Sequence, residues 1–368
     1  MADWFIIENI EELDTPALAV YPARVIQNIH GVVSMIGNVS RLRPHVKTNK
    51  TIEATRLMME AGIVKFKCAT IAEAEMLGMA GAADVLLAYQ PHGPKVQRLI
   101  ALINKYPGTL FSCLVDNTSS AQKLSDVALQ TNLILSVYID VNVGMNRTGI
   151  EPGACLDLYK FCTALPGLNL GGLHVYDGHL HQPDFEERTL ACNQAYLSVE
   201  ALTSQILKAG LQKPVIVAGG SPTFPIHAKR KNVECSPGTF IFWDKGYELT
   251  CAEQPFVHAA LAISRIVSLP NATTICLDLG HKSIASENEL NKRVFFLNAP
   301  ELVFKGHSEE HLVASVPEGH CYKTGDVLYG VPYHICPTVA LYERALIVDD
   351  HVCNGEWKIV ARDRKITI

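Results

Sequence analysis

The sequence predicts an α/β protein, a (β/α)8 barrel followed by an antiparallel β domain. Three observations predict it. From about residue 40 to 240, short apolar strand-like runs alternate with amphipathic helix-like stretches, the pattern of a closed parallel barrel. The GxGxxG turn that would mark an open dinucleotide-binding sheet is absent after the first strand. After about residue 250 the helices give way to closely spaced β-like runs.

In chain order, "PARVIQNIHGVVSMIG" reads as a helix, "RLRPHVK" as the first barrel strand and "TIEATRLMMEAG" as the next helix. The remaining barrel strands are "VKFKCAT", "DVLLAY", "LFSCLVD", "LILSVYID", "LNLGGLHVY", "PVIVAGG" and "NVECSPGT". Between them lie helical stretches such as "IAEAEMLGMAGA", "KVQRLIALINKY", "SAQKLSDVALQ" and "RTLACNQAYLSVEALTSQILKAG". The barrel is placed at residues 18–245. The β domain is placed at residues 246–368, built from "ALAISRIVSLP", "TTICLDLG", "RVFFLNAP", "EHLVASV", "DVLYGVP", "RALIVDDHV" and "EWKIVARDRKI". Turn-rich pieces such as Asn354-Gly355 separate these runs, and the strand-like N-terminus "WFIIENI" within residues 1–17 is assigned to the same domain.

Composition narrows the function classes. The chain has 368 residues, 48% hydrophobic and 19% charged, with a formal net charge of -5. That argues against nucleic-acid binding, because there is no basic surplus to neutralise phosphates. The N-terminus lacks a basic, then apolar leader, and no apolar run is long enough to span a bilayer. Eleven cysteines, an odd number without CxxC spacing, argue for a reducing cytoplasm rather than a disulfide framework. Cys113, Cys162 and Cys276 sit in apolar text and read as small buried hydrophobes.

In such a barrel the chemistry lies where strands end. The first strand ends at Lys47, the fifth runs into Arg147 between Gly144 and Gly149, and the sixth into Tyr176, His179 and His181. A lysine at the end of a buried strand is either a surface group or a paired or reacting amine. The seventh strand ends in Gly219-Gly220-Ser221-Pro222-Thr223 and the eighth runs into Gly238-Thr239. Both turns offer backbone N–H groups and hydroxyls suited to a phosphate, or they are simply tight loops. Together these features suggest pyridoxal 5′-phosphate, which needs an amine, a phosphate cradle, a ring-stacking group and a partner for its phenolic oxygen. Lys47 supplies the amine, made nucleophilic by burial beside Arg43 and Lys50. Tyr176 supplies the ring face and Arg147 the phenolate partner, although plain core packing also accounts for a tyrosine there. Finally, His334 and Cys336 in "PYHICPT" are two residues apart. On a strand they would share a face and offer zinc an imidazole and a thiolate with open positions left over, or they are a satisfied histidine and a buried thiol.

The ordered set "RPHVKTNK", "CATIAEAE", "DVNVGMNRTG", "GLHVYDGH", "GGSPT", "SPGTFIF", "SEEH" and "HICPT" resembles the D-threonine aldolase / D-serine dehydratase family, of the alanine-racemase-like pyridoxal phosphate enzymes. The resemblance runs along nearly the whole chain. It implies Lys47, rather than Lys50, as the Schiff-base residue, and a metal pair at His334 and Cys336. Asn49 stands where the family usually has His, which leaves that residue's role open. Within the family HxC goes with D-serine dehydratase-like members and HxD with the aldolases. Thiolate favours zinc, while carboxylate favours manganese. The resemblance therefore implies β-elimination of water from a D-3-hydroxy amino acid to a keto acid and ammonia, with Lys47 taking the Cα proton. The alternative is retro-aldol cleavage to glycine and an aldehyde, with His179 or His181 as base. A racemase is disfavoured because its lysine loop is missing, and a non-catalytic cofactor carrier because it would lack the C-terminal domain. The resemblance also implies a homodimer and brings Ser308, Glu309, Glu310 and His311 towards the site, a run that otherwise reads as a solvated acidic turn. A carboxylated substrate would need one more cation, for which Lys282, Lys305 and Lys323 are candidates.

Overall fold

The computed structural model describes residues 3–368, and its internal contacts divide the chain into two units. One unit holds the chain up to Gly31, Thr48–Ala54 and Thr239–Arg362; the other holds Val32–Lys47, Thr55–Gly238 and Asp363–Ile368. No helix among the described residues is long and apolar enough to cross a membrane. Among the cysteines, Cys113 and Cys162 are buried and Cys276 is only partly so.

The first strand, β1 (Ala17–Val20), stays out of the parallel sheet. That sheet runs β2 (Lys65–Cys68), β3 (Asp84–Leu87), β4 (Leu110–Val115), β5 (Leu135–Val141), β6 (Leu168–Val175), β7 (Val215–Ala218) and β8 (Val233–Cys235), each strand parallel to the next. All seven residues of β5 are buried, as a sheet covered on both faces requires. The segment expected to be the first barrel strand is not a regular strand. Its Leu42 bridges Cys235 and its His45 bridges Lys67, both in parallel. Arg43 N donates to Cys235 O at 2.9 Å, while Lys67 N donates to Pro44 O at 2.8 Å. The segment thus joins the two edges of the sheet. Pro44 has no N–H and holds the pairing to single bridges.

Helices begin where the capping chemistry says they should. The Thr70 hydroxyl accepts from Glu73 N at 3.1 Å, at the start of the helix Ile71–Ala80. Asn117 and Asp184 cap Thr118–Gln130 and Phe185–Lys208 in the same way. The last residues return to this unit, where the Arg98 guanidinium donates to Ile368 O at 2.8 Å.

The second unit carries β9 (Ala260–Asn271), β10 (Thr274–Leu277), β11 (Val294–Phe296), β12 (Val303–His307), β13 (Leu312–Ser315), β14 (Val327–Pro332), β15 (Arg344–Asp349) and β16 (Val352–Lys358). The sheet order is β12-β13-β10-β9-β1-β15-β16, with β14 on β9 and β11 on β14. All pairs are antiparallel except β1 with β15. Its core holds Ile275, Phe296 and Leu312 in one cluster, and Phe5, Ile7 and Tyr329 in another.

Three details differ from the sequence reading. "WFIIENI" packs Phe5 and Ile7 into the core without forming a strand. Strand β12 was not foreseen. The turn between β15 and β16 is Asp350-His351, both at positive φ, and not Asn354-Gly355. Gly355 pairs with Ile347 and Cys353 with Val348, so Asn354 is the extra residue of a β-bulge.

Candidate active site

In the barrel unit a cavity of about 580 Å³ opens where the parallel strands end, walled by Lys47, Lys67, Gln90, Arg147, His174 and Tyr176 among others. Lys47 is not the buried end of a strand. It lies in the turn after the His45 bridge and is exposed. Nor is Arg43 its companion. Arg43 is 1% exposed and gripped by Asp84 at 2.7 and 2.8 Å and by Glu234 at 2.8 Å. The cation beside Lys47 is Lys67, which is 2% exposed and whose amine is pushed down to about 7, first by burial and then by the Lys47 charge.

Tyr176 and Arg147 come together as expected, with the guanidinium carbon 5.1 Å from the ring centroid. Two glycines make room for this ring. A Cβ on Gly178 would fall 2.4 Å from it, and one on Gly220 would fall 3.1 Å from it. Behind it, His174 Nδ1 meets Asp140 Oδ1 at 2.7 Å, and Asp140 Oδ2 accepts from Thr148 at 2.8 Å and Gln90 at 3.0 Å. Burial pushes the Asp140 carboxyl up, but the hydrogen bonds, that of His174 first, bring it below the ordinary value. Burial holds His174 below its usual range despite that carboxylate, and its Nε2 has no partner. Sequence reading missed Lys67, His174 and Asp140, all within strand text that looks like core.

The structure does not bring His179 and His181 into the cavity lining. His179 is half-buried against the loop after β5. Gly144, at φ +116, leaves the space it needs, since a Cβ there would sit 3.0 Å from His179 Nε2. His181 is exposed.

The Gly219–Thr223 loop is held from below. Thr223 donates to Asp177 Oδ1 at 2.8 Å, and His227 Nε2 meets Asp177 Oδ2 at 2.8 Å. Gly219 adopts φ +75, where a Cβ would fall 2.7 Å from the His227 ring. The Ser221 hydroxyl accepts from Gly238 N at 3.2 Å, linking the two predicted phosphate turns, and the buried Ser236 hydroxyl has no partner. Asp177, Cys192 and His227 are all buried, with ligand atoms within 4.8 Å of one another, a constellation that a metal ion fits. The spacing of these three in the sequence carried no signal for it.

In the other unit, His334 precedes the helix Ile335–Leu341 and Cys336 lies within it, so the strand-face argument for this pair does not hold. The two still meet. Burial lowers His334, but hydrogen bonding to Cys336 and to Glu287 outweighs it and lifts the imidazole to about 9. Cys336 Sγ lies 3.0 Å from the hydroxyl of Thr48, the residue after Lys47, and 3.8 Å from that of Thr239, the residue after Gly238. Glu287 on His334 Nδ1 has the form of a carboxylate orienting a ligating imidazole. Asn49 is buried with its Oδ1 unpartnered. The Ser308–His311 run is exposed, and Lys282 pairs with Glu309 at 2.6 Å and Glu310 at 2.9 Å. Lys305 and Lys323 are exposed.

Residues 20–245 match the alanine racemase N-terminal domain family and residues 259–348 a serine dehydratase domain family. A D-threonine aldolase of Arthrobacter sp. is 27% identical over 362 residues, spanning 96% of this chain and 94% of the relative. The D-threo-3-hydroxyaspartate dehydratase of Delftia sp. is 27% identical over 380 residues, spanning 95% and 98%. Solved structures of a D-threo-3-hydroxyaspartate dehydratase include one with a histidine replaced by alanine and one, described as metal-free, with a cysteine two positions later replaced. The latter superposes with a TM-score of 0.79 at 20% identity, over 94% of this chain and 97% of that one. The crystal structure of D-threonine aldolase from Filomicrobium marinum superposes with a TM-score of 0.89 at 24% identity, over 95% of this chain and 96% of that one.

Proposed function

This chain belongs to the alanine racemase N-terminal domain family, and we propose that it is a pyridoxal-phosphate- and metal-dependent lyase of D-3-hydroxy amino acids that eliminates water. The observation that carries the reading is Lys47, an amine on the wall of a cavity shared with Tyr176 and Arg147. The residues fit the cofactor. Glycines at 178 and 220 leave the Tyr176 ring room that a Cβ would take, and the orphaned Ser236 hydroxyl follows β8 beside the second glycine turn. Lys47 would attach the cofactor aldehyde, the 219–223 backbone and Ser236 would hold its phosphate, and Arg147 its phenolic oxygen. The bound cofactor supplies an electron sink that acidifies the substrate Cα–H.

Lys47, freed when substrate takes its place, is the base for that Cα proton. His334 and Cys336 would hold the metal, with Glu287 fixing the imidazole. A metal held there would supply Lewis acidity for loss of a hydroxyl, and the thiolate favours zinc over manganese. Loss of water followed by hydrolysis converts the amino acid to a 2-oxo acid and ammonia. The His-x-Cys spacing, shared with the positions replaced in the D-threo-3-hydroxyaspartate dehydratase structures, supports elimination.

A second reading, retro-aldol cleavage to glycine and an aldehyde, is favoured by the resemblance to the Arthrobacter and Filomicrobium aldolases. It needs a base for the β-hydroxyl proton, the role expected of His179 or His181, and neither lines the cavity. The test is the absorption spectrum of the purified protein, then D-serine, D-threonine and D-threo-3-hydroxyaspartate with and without chelator. Oxo acid and ammonia that vanish with chelator support the dehydratase; glycine plus aldehyde supports the aldolase. A protein that takes up no cofactor sinks both.

A further inference from the structure

Lys67 stands apart among the buried cations of the barrel unit. Arg43 is paired with Asp84 and Glu234, and Arg188 donates to the carbonyls of Pro222 and Gln182. Lys67 is 2% exposed, lines the cavity, and among the described residues has no carboxylate within ion-pair distance. Its nearest aromatic surface is the Tyr176 ring, 5.4 Å from Nζ. Asp140 and Asp177 contribute only at a distance, and both carboxylates are already spent, Asp140 on His174, Thr148 and Gln90, Asp177 on His227 and Thr223. A buried ammonium without a counter-ion is costly. The described residues offer none, while the cavity is open to one. A second, independent vacancy lies on the same wall, where the buried His174 Nε2 has no partner.

We infer that Lys67 is the cation that binds an anionic oxygen of the ligand held in this cavity. The inference rests on the proposed function, and it adds a residue that the phosphate turns, Arg147 and Lys47 do not account for. Two sources carry such an oxygen, the phenolate of the cofactor and a carboxylate of the amino-acid substrate. It also supplies the extra cation that a carboxylated substrate needs, which Lys282, Lys305 and Lys323 on exposed surface do not.

The experiment compares wild type, Lys67→Met and Lys67→Arg. Pyridoxal 5′-phosphate is titrated into cofactor-free protein and the bound chromophore is followed against pH. Malate and lactate, hydroxy acids with two carboxylates and one, are then titrated into the loaded protein. Cofactor affinity about tenfold weaker in Lys67→Met, with a displaced chromophore titration and rescue by arginine, assigns the phenolate. Unchanged cofactor binding with malate, or both acids, about tenfold weaker assigns a substrate carboxylate. Cofactor and acid binding both unaltered in Lys67→Met overturns the inference. The melting temperature of cofactor-free Lys67→Met is expected to equal or exceed that of wild type, since an unpaired buried charge is removed. Should that variant not fold, Lys67→Gln is read the same way. Wild type that takes up no cofactor defeats the proposed function instead, and acid binding to the cofactor-free proteins then decides for Lys67.

Discussion

The two ends of the parallel sheet treat charge in opposite ways. Where the strands begin, Arg43, Asp84, Glu234 and Lys65 form a closed set in which every charge has a partner, and they tie the first-strand segment to β2, β3 and β8. Where the strands end, Lys47 is exposed, Lys67 is buried without a carboxylate, and His174 Nε2 has no partner. Polar groups at the first end satisfy one another, and the sheet is held there. At the second they are aimed at something the chain does not contain, which is what a binding site is at the level of hydrogen bonds. Stability and recognition are thus assigned to opposite ends of the same strands.

The largest expected effect tests the open end. Lys47→Ala is expected to abolish the cofactor chromophore and lower turnover by about 10³-fold or more, with the melting temperature little changed. Colour and turnover surviving that change would remove the amine from the mechanism. The next tests the closed end. Arg43→Ala leaves Asp84 without its partner and Glu234 with Lys65 alone, and is expected to cost about 3–5 kcal/mol in urea unfolding. A loss of cofactor affinity without loss of stability would invert the contrast.

Acid titration is the third test. Burial raises the carboxyls of Asp140 and Asp177, but hydrogen bonds, led by those from His174 and His227, bring both below the ordinary aspartate value. A folded value below the unfolded one adds stability that is present above about pH 4 and lost as pH falls through the folded value. Asp177→Asn should therefore flatten the loss of stability seen by circular dichroism below pH 4. A profile identical to wild type would show that this carboxylate holds no such linkage. The smallest effect is on the outer surface. Lys282 pairs with Glu309 and Glu310 in solvent, and Lys282→Ala should leave the melting temperature where it is.

Much of this was legible because the relevant signals are local. The alternation of short apolar runs with amphipathic stretches marked strands β2 to β8 and the helices between them, and Tyr176 and Arg147 were singled out by their places after strands. The first strand was misread because Pro44 removes one donor from an otherwise strand-like run. The β15–β16 turn was misread because Asn-Gly is the stronger short-range signal, while the chain turns at Asp350-His351 and spends Asn354 on a bulge. The strand-face argument for His334 and Cys336 does not apply, and only the resemblance implied them as a metal pair. The two meet across the start of a helix.

By itself the sequence determined the class of fold, the places of Arg147 and Tyr176 after parallel strands, and the histidine and cysteine two residues apart. Periodicity, caps and motif spacing are properties of neighbours in the chain. Only the tertiary structure decided which charges are paired. Lys67 lies on β2, Asp140 on β5, His174 on β6 and Glu234 on β8, and whether a buried group has a counter-ion depends on strands far apart in sequence that the closing of the sheet brings together.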